Sequence, residues 1–230
     1  MFSLERVPGS LLVLGGGDGL AVRELLKYPG AFITLIELDP AMVDLARHDS
    51  SLKMLNGDSL DDSRVRVVTG DAYAYLLGCS EKYDAIIADF PDPHDETISK
   101  LYTVEFFTIA RDALAKGGVF VTQSTSPFFA REAFWCINAT MKKAFRFVVP
   151  YHVYVPSFGD WGFNMAFDEP RDVAMIPESV PGLKYFSRDA FSQAMHFPAD
   201  STGTETEVNT FNRPVLYTYY IKGWKYYTDM

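Results

Sequence analysis

Between residues 11 and 124 the chain alternates continuous apolar runs with segments of helical period, and most of the runs stop on an acid or a small polar residue. LLVLG (11–15), FITLIEL (32–38), VRVVTGD (65–71), YDAIIAD (83–89) and GVFVTQS (118–124) read as five strands. Runs without polar alternation are buried on both faces, which requires a mostly parallel sheet with helices over both sides. The connecting segments agree. VRELLKY repeats apolar residues at helical spacing and stops at Pro29-Gly30, while Asp39 can cap a helix over 40–48 whose first position is Pro40. The predicted fold is α/β, a Rossmann-like doubly wound sheet over residues 1–170, with 171–230 as a C-terminal extension packed on or beside it. In such a sheet the ligand crevice lies outside the strand C-termini, where the acids collect.

Composition narrows the partner. With 230 residues and 48% apolar content the chain can bury a sizeable core, and a formal charge of -9 argues against nucleic acid, which is bound through clusters of lysine and arginine. A cationic partner fits better. Two cysteines, Cys79 and Cys136, lie far apart without CxxC spacing, so neither a disulfide framework nor a zinc site is expected. No apolar run reaches the roughly 18 residues of a membrane span, and the start MFSLERVPGS lacks a signal-peptide apolar region. The expected location is the cytoplasm.

Within LLVLGGGDGLAVREL (11–25), four glycines surround one acid, Asp18. A glycine-rich turn between strand and helix usually cradles phosphate, and a carboxylate there would repel it. Three more acids stand at strand ends: Glu37, Asp71 and Asp89. Each alone has an ordinary reading as a helix cap. Together they form a pattern. An acid ending the second strand, about 20 residues beyond the glycine loop, accepts hydrogen bonds from ribose hydroxyls, which suits Glu37. Gly70-Asp71-Ala72 then stands where an adenine amino group is read. NAD competes for this pattern, but its pyrophosphate conflicts with Asp18 at a helix N-terminus. A sulfonium nucleoside, positively charged and without phosphate, removes the conflict.

ADFPDPHDETISKLYTVEFF (88–107) sets Asp89 and Asp92 three residues apart in a proline-stiffened loop. Such a loop can bind a divalent metal, yet the lone His94 is its one soft ligand, so no metal is expected. An amine suits it better. An alkylammonium cannot attack carbon until a base takes its proton, and Asp89 is the candidate base.

The series GGGDG (15–19), IELDP (36–40), GDA (70–72), D-x-x-D-P (89–93), KGG (116–118), TQS (122–124) and VPSFGDWGF (155–163) resembles, in order and approximate spacing, the spermidine synthase-like aminopropyltransferases. The wording DFPDP and VPSFGDWGF is most similar to the cytosolic domain of bacterial multi-pass members. The resemblance implies the S-adenosylmethionine-dependent transferase type of sheet. It also implies transfer of an aminopropyl group from decarboxylated S-adenosylmethionine, a co-substrate rather than a bound cofactor, to a polyamine, with release of methylthioadenosine. It places Gly15, Gly17, Asp18, Gly19, Glu37, Asp71, Ala72 and Asp89 around the donor. Asp18 and Asp89 hold its ammonium, Glu37 its ribose and Asp71 its adenine. Asp92 is set against the acceptor amine, with Phe158 and Trp161 in the acceptor segment.

Two departures accompany the resemblance. The family's T-Y-P-x-G segment carries a tyrosine near the acceptor, where this chain reads P-S-F-G and places Phe158. The family also has a small β-stranded region before the glycine loop that helps close the donor site and supports dimers, whereas about ten residues precede the first strand here. The chain by itself is therefore expected to bind nucleoside and turn over slowly, and a homodimer is an open expectation. A methyltransferase and a non-catalytic nucleoside or polyamine sensor are the alternatives.

Other segments read more simply. Phe128, Phe129, Phe134 and Trp135 fit a helix packed on the sheet. Trp161 fits core or cation site equally. ADSTGTETEVN (199–209) reads as a mobile polar loop, and PVLYTYYIKGWKYY (214–227) alternates like an aromatic strand that covers the sheet or pairs with another subunit.

Overall fold

The computed structural model describes residues 8–173 and 184–228. In chain order the elements are β1 (Ser10–Gly15), α1 (Leu20–Leu25), β2 (Phe32–Glu37), α2 (Pro40–His48), α3 (Ser50–Asn56), β3 (Val65–Thr69), α4 (Ala72–Gly78) and β4 (Tyr83–Asp89). They continue with α5 (Glu96–Ser99), α6 (Val104–Asp112), β5 (Leu114–Gln123), α7 (Arg131–Ala144), β6 (Phe147–Val155), β7 (Gly159–Phe167), α8 (Arg188–Ala194) and α9 (Leu216–Thr228). The strands form one sheet in the order β3-β2-β1-β4-β5-β7-β6. Strands β1 to β5 pair in parallel, and β6 and β7 close the edge as an antiparallel hairpin.

The doubly wound expectation is met, because both faces of the parallel half are covered. Leu11 and Val13 of β1 pack with Val22 and Leu25 of α1 and Val43 of α2, while Leu12 and Leu14 turn to the opposite face and join Phe106, Phe120 and Ile137. Successive strand side chains alternate faces, so an all-apolar run fills two cores. Each fully buried leucine contributes about 1.5–3 kcal/mol. Asp39 caps α2 as expected, accepting from the Ala41 amide at 2.9 Å with Pro40 at the first position.

The order reverses between β1 and β4. From β1 the chain moves outward to β2 and β3, then returns to lay β4 on the other side of β1. Register at this switch point places Gly15 beside Asp89. Crossover helices diverge there and leave a crevice.

Three expectations are corrected, two of them in the C-terminal region. Residues 216–228 are helical, not a strand. Tyr219, Tyr220 and Trp224 are packed with Leu216 against the core, a helical spacing of three, four and eight. Aromatic content favours strands only weakly, and the docking of this stripe on α7 outweighs it. The tract 199–209 is irregular but pinned rather than mobile. Asn209 is buried, its side-chain amide donates to the Ser99 and Tyr102 carbonyls, and its Oδ1 accepts from the Leu216 amide. Phe128 and Phe129 lie in the turn before α7 rather than on it, although Phe134 is a fully buried α7 residue.

Among the described residues, no helix is long and apolar enough to cross a membrane. Cys79 and Cys136 are unbonded.

Candidate functional site

The chain leaves β1 through a turn that only glycines can make. Gly15 and Gly16 have φ of 80° and 72°, and a Cβ on Gly15 would stand 2.4 Å from the Asp89 carbonyl oxygen. Gly17 is equally constrained by its surroundings, since a Cβ there would meet the Glu37 carboxylate 2.7 Å away. In place of that Cβ, the Gly17 amide donates to Glu37 Oε2 at 2.9 Å and the Asp39 amide donates to Oε1 at 3.0 Å. Glu37 is thus held by two backbone donors, each oxygen keeping lone pairs for a ligand.

Asp18 closes the turn into α1 and Asp71 caps α4 while both stand at the site. Asp18 Oδ1 accepts from the Leu20 amide at 3.0 Å, and Asp71 Oδ1 from the Ala74 amide at 2.7 Å at the start of α4. The cap reading and the site reading hold together, because a carboxylate has more acceptor positions than one cap uses.

These loops enclose a cleft of about 510 Å³ lined by Gly15, Gly16, Gly17, Asp18, Glu37, Asp39, Asp71, Ala72 and Asp89, with apolar walls that include Ile36, Met42, Phe90, Ile98 and Leu101. Five of the lining residues are acids and none is basic. Asp89 is exposed to this cleft at the end of β4, and the protein beside it partly desolvates its carboxyl. That desolvation first, then the negative charges of Asp18 and Glu37, push its pKa up. A cation in the cleft would remove the repulsion, and an anion would add to it.

Gly19 does not reach the cleft. It is the residue before α1, at φ 80°, and a Cβ on it would strike Ser59 Oγ at 2.7 Å. Asp92, Phe158 and Trp161 also lie outside the cleft lining. Phe158, at the turn between β6 and β7, is 58% exposed with its ring 5.1 Å from Trp161.

Asp92 sits in a polar cluster that spacing did not reveal. Thr125 Oγ1 donates to its Oδ2 at 3.2 Å. Gln123 Nε2 donates to the Phe90 carbonyl and the Tyr102 hydroxyl at 2.8 and 2.7 Å, its Oε1 accepts from the Thr125 amide at 2.9 Å, and Tyr102 donates to the Pro91 carbonyl at 3.0 Å. Thr125 itself adopts φ 60°, a left-handed conformation rare for a β-branched residue. Backbone bonds from β7 hold it there: the Gly162 amide donates to the Thr125 carbonyl, and the Ser124 amide to the Gly162 carbonyl, both at 2.8 Å. Burial dominates Asp92's raised pKa, and its Oδ1 is enclosed without a hydrogen-bond partner. An unpaired buried acceptor costs about 1–3 kcal/mol, more when charged.

Gly16, Asp39 and the apolar walls were within reach of the sequence, since they adjoin residues already singled out. Gln123 and Thr125 occupy the end of the fifth run, a position that marks sites in such sheets. Tyr102 carried no local signal. Among the described residues no group of His, Cys, Asp and Glu is arranged to hold a metal ion.

Sheet order, switch-point crevice and an acid-lined nucleoside-sized cleft define a doubly wound domain of the S-adenosylmethionine-dependent transferase type. The chain belongs to the spermine/spermidine synthase domain family, whose model matches residues 3–175. It is 40% identical over 220 residues to polyamine aminopropyltransferase 1 of Streptomyces coelicolor, covering 95% of this chain and 41% of that protein. A polyamine aminopropyltransferase of Mycobacterium tuberculosis is likewise 40% identical over 220 residues, 94% of this chain and 42% of its own length. The chain therefore spans less than half the length of these curated relatives. Its fold superposes on the crystal structure of a spermidine synthase in complex with the transition-state analogue AdoDATO, with TM-score 0.77 and 27% identity over 86% of this chain and 69% of that one. Spermidine synthase from Thermotoga maritima gives TM-score 0.76 and 26% identity, with 86% of this chain and 68% of that one covered.

Proposed function

We propose that this chain transfers the aminopropyl group of decarboxylated S-adenosylmethionine to an amine of a polyamine such as putrescine, releasing methylthioadenosine. The observation that carries this reading is the charge of the cleft: five acids and no basic side chain line it, and desolvation together with the acidic neighbours Asp18 and Glu37 raises the pKa of Asp89. A donor bearing a sulfonium and an ammonium, with no carboxylate or phosphate, is the nucleoside such a cleft favours. The names of the relatives support the same chemistry.

In this reading Glu37 accepts from the ribose hydroxyls, its carboxylate fixed beforehand by the Gly17 and Asp39 amides. Asp71 and Ala72 face the adenine, and Asp18 with Asp89 holds the aminopropyl ammonium. Asp92 holds the acceptor. The acceptor nitrogen's lone pair forms a bond to the methylene carbon on sulfur, the carbon–sulfur bond breaks, and its electron pair stays on sulfur as the neutral thioether methylthioadenosine. Asp89 takes the proton that the attacking ammonium must lose. A carboxylate with a raised pKa is a better match to an amine's proton than an ordinary one. The reaction turns two cationic centres beside the acids, the acceptor ammonium and the sulfonium, into one secondary ammonium and a proton, so the acids stabilise substrates and the charge as it moves.

The test incubates the protein with donor labelled in the aminopropyl group and a panel of diamines. Labelled triamine with stoichiometric methylthioadenosine is the expected result. Methyl transfer from S-adenosylmethionine with no aminopropyl transfer would replace this reading by a methyltransferase, and tight nucleoside binding with neither product would replace it by a sensor.

A further inference from the structure

We propose that Tyr102 is a positioning residue for Asp89: its buried hydroxyl, together with Gln123, clamps the acid loop from behind and so fixes how the Asp89 carboxylate is presented to the cleft. The proposal rests on the aminopropyl-transfer reading, in which Asp89 holds the donor's ammonium and takes the proton. Asp89, Phe90 and Pro91 form one wall of the cleft with Ile98 and Leu101. Tyr102 and Gln123 are not part of that lining, and Tyr102 has no exposed surface at all. Gln123 Nε2 donates to the Phe90 carbonyl at 2.8 Å and to the Tyr102 hydroxyl at 2.7 Å, and Tyr102 donates in turn to the Pro91 carbonyl at 3.0 Å. Gln123 Oε1 accepts from the Thr125 amide at 2.9 Å, which anchors the clamp to the end of β5. The two carbonyls that follow Asp89 are thus both held, and every proton of the clamp is used.

The surroundings of Tyr102 ask for a ring but not for a hydroxyl. Its ring meets Phe90 edge-on at 6.2 Å, and Phe90 meets Phe106 edge-on at 5.5 Å, an aromatic stack that phenylalanine would complete equally well. Burial first, then the charges of Asp92 and Asp89, push the phenol's pKa up, so it stays a proton donor to Pro91. The turn that carries it, Lys100–Tyr102, is anchored in its own right. Thr103 caps α6 directly after it, and the Tyr102 carbonyl accepts from the Asn209 side-chain amide at 3.1 Å. Asn209 Oδ1 accepts from the Leu216 amide, which ties the turn to α9. That helix crosses the start of α7 so closely that a Cβ at Gly223 would stand 2.8 Å from both Ala130 Cα and the Phe129 carbonyl oxygen. Asp89 itself is the last residue of β4 to pair with β1, opposite Gly15. The strand ladder therefore fixes the backbone before Asp89 and the clamp fixes it after, which over-determines the direction of the side chain. A diffuse negative charge would not require this, whereas a base that must meet one N–H does.

The experiment compares Tyr102→Phe with the parent protein in steady-state transfer from decarboxylated S-adenosylmethionine to putrescine, and in calorimetric binding of that donor and of methylthioadenosine, at a temperature where unfolding curves show both proteins folded. Tyr102→Phe keeps the ring and is expected to lower kcat about tenfold or more, because a slight misplacement of a reacting group costs up to about a hundredfold. The donor, whose ammonium Asp89 holds, binds several-fold more weakly, while methylthioadenosine, which lacks that ammonium, keeps its affinity. Gln123→Met, which opens the clamp from its other partner, is expected to give the same pattern and carries the test where Tyr102→Phe does not fold. The double variant loses no more kcat than the worse single variant, since the two side chains act as one unit. Parental kcat in folded Tyr102→Phe, equal losses of donor and methylthioadenosine affinity, or additive losses in the double variant would each overturn the proposal. Failure of the underlying reading looks different: a parent protein without aminopropyl transfer removes the reaction, and the selective loss of donor affinity then still decides whether the clamp sets Asp89.

Discussion

Two neighbouring parts of this sheet's C-terminal edge are built by different means. The acid-lined cleft on β1, β2 and β4 is made of strand-end residues acting within their own loops: Asp18 accepts from the amide two residues on, Asp71 from the amide three on, and Glu37 reaches one neighbouring glycine turn. The Asp92 cluster on the β5 side is assembled from distant segments, with Gln123 bonding Phe90 across 33 positions and Asn209 bonding Ser99 across 110. A local device survives most changes elsewhere in the chain. A convergent one depends on the docking of β7 and α9, so substitutions far from Asp92 should disturb it while leaving the cleft intact.

The largest expected effect sharpens the division of labour between Asp89 and Asp92. Asp89→Asn should lower turnover about a hundredfold to ten-thousandfold while methylthioadenosine affinity, measured by calorimetry, changes little, because the amide cannot take a proton at neutral pH. Near-parental turnover in Asp89→Asn together with loss in Asp92→Asn would exchange the two roles.

Next comes donor selection. Decarboxylated S-adenosylmethionine should bind roughly tenfold to a hundredfold more tightly than S-adenosylmethionine, whose carboxylate enters a cleft with five acids. Equal affinities in competition calorimetry would mean that the cleft does not select by charge.

Of comparable size is the effect of Gly15→Ala on stability. The substitution needs a left-handed backbone at about 1–3 kcal/mol and also forces the Asp89 carbonyl to move from 2.4 Å. Thermal unfolding should show the whole domain weakened, since β1 is an interior strand paired with both β2 and β4. Gly223→Ala, by contrast, should leave methylthioadenosine binding near parental and weaken amine binding several-fold. If it lowers both equally, the two parts are not separable.

The smallest expected effect is a pH dependence. In the free protein Asp89 is raised by burial, Asp18 and Glu37, so below that raised pKa it is neutral and attracts no cation. Affinity for the cationic donor should therefore rise with pH through the raised value, by up to about tenfold, and binding should release protons. Methylthioadenosine, which is neutral, should lack this trend. The same shift makes the free fold slightly less stable as pH climbs from the ordinary carboxylate range through the raised one, and saturating donor should cancel that loss.

The cleft was legible because its geometry follows from the chain's own periodicity. A parallel sheet delivers every strand C-terminus to one edge, so Gly15, Glu37, Asp71 and Asp89 had an address once the strands were read. The acceptor side was not. The motifs named Asp92 but not its neighbours: the left-handed Thr125, at φ 60°, is tied to β7 by hydrogen bonds between Gly162 and the 124–125 backbone, and nothing near residue 92 says that Thr125 donates to it. The aromatic alternation of that segment favours a strand, and its packing on α7 made it a helix.

By itself the sequence determined the sheet, the switch point and an acid-lined cleft, since these depend on hydrophobic period, glycine turns and residues at most a few positions apart. Tertiary structure decided the surroundings of Asp92, the placing of α9 and the burial that raises both Asp89 and Asp92. Those depend on which surfaces of the chain exclude water together, and no short window of sequence contains that information.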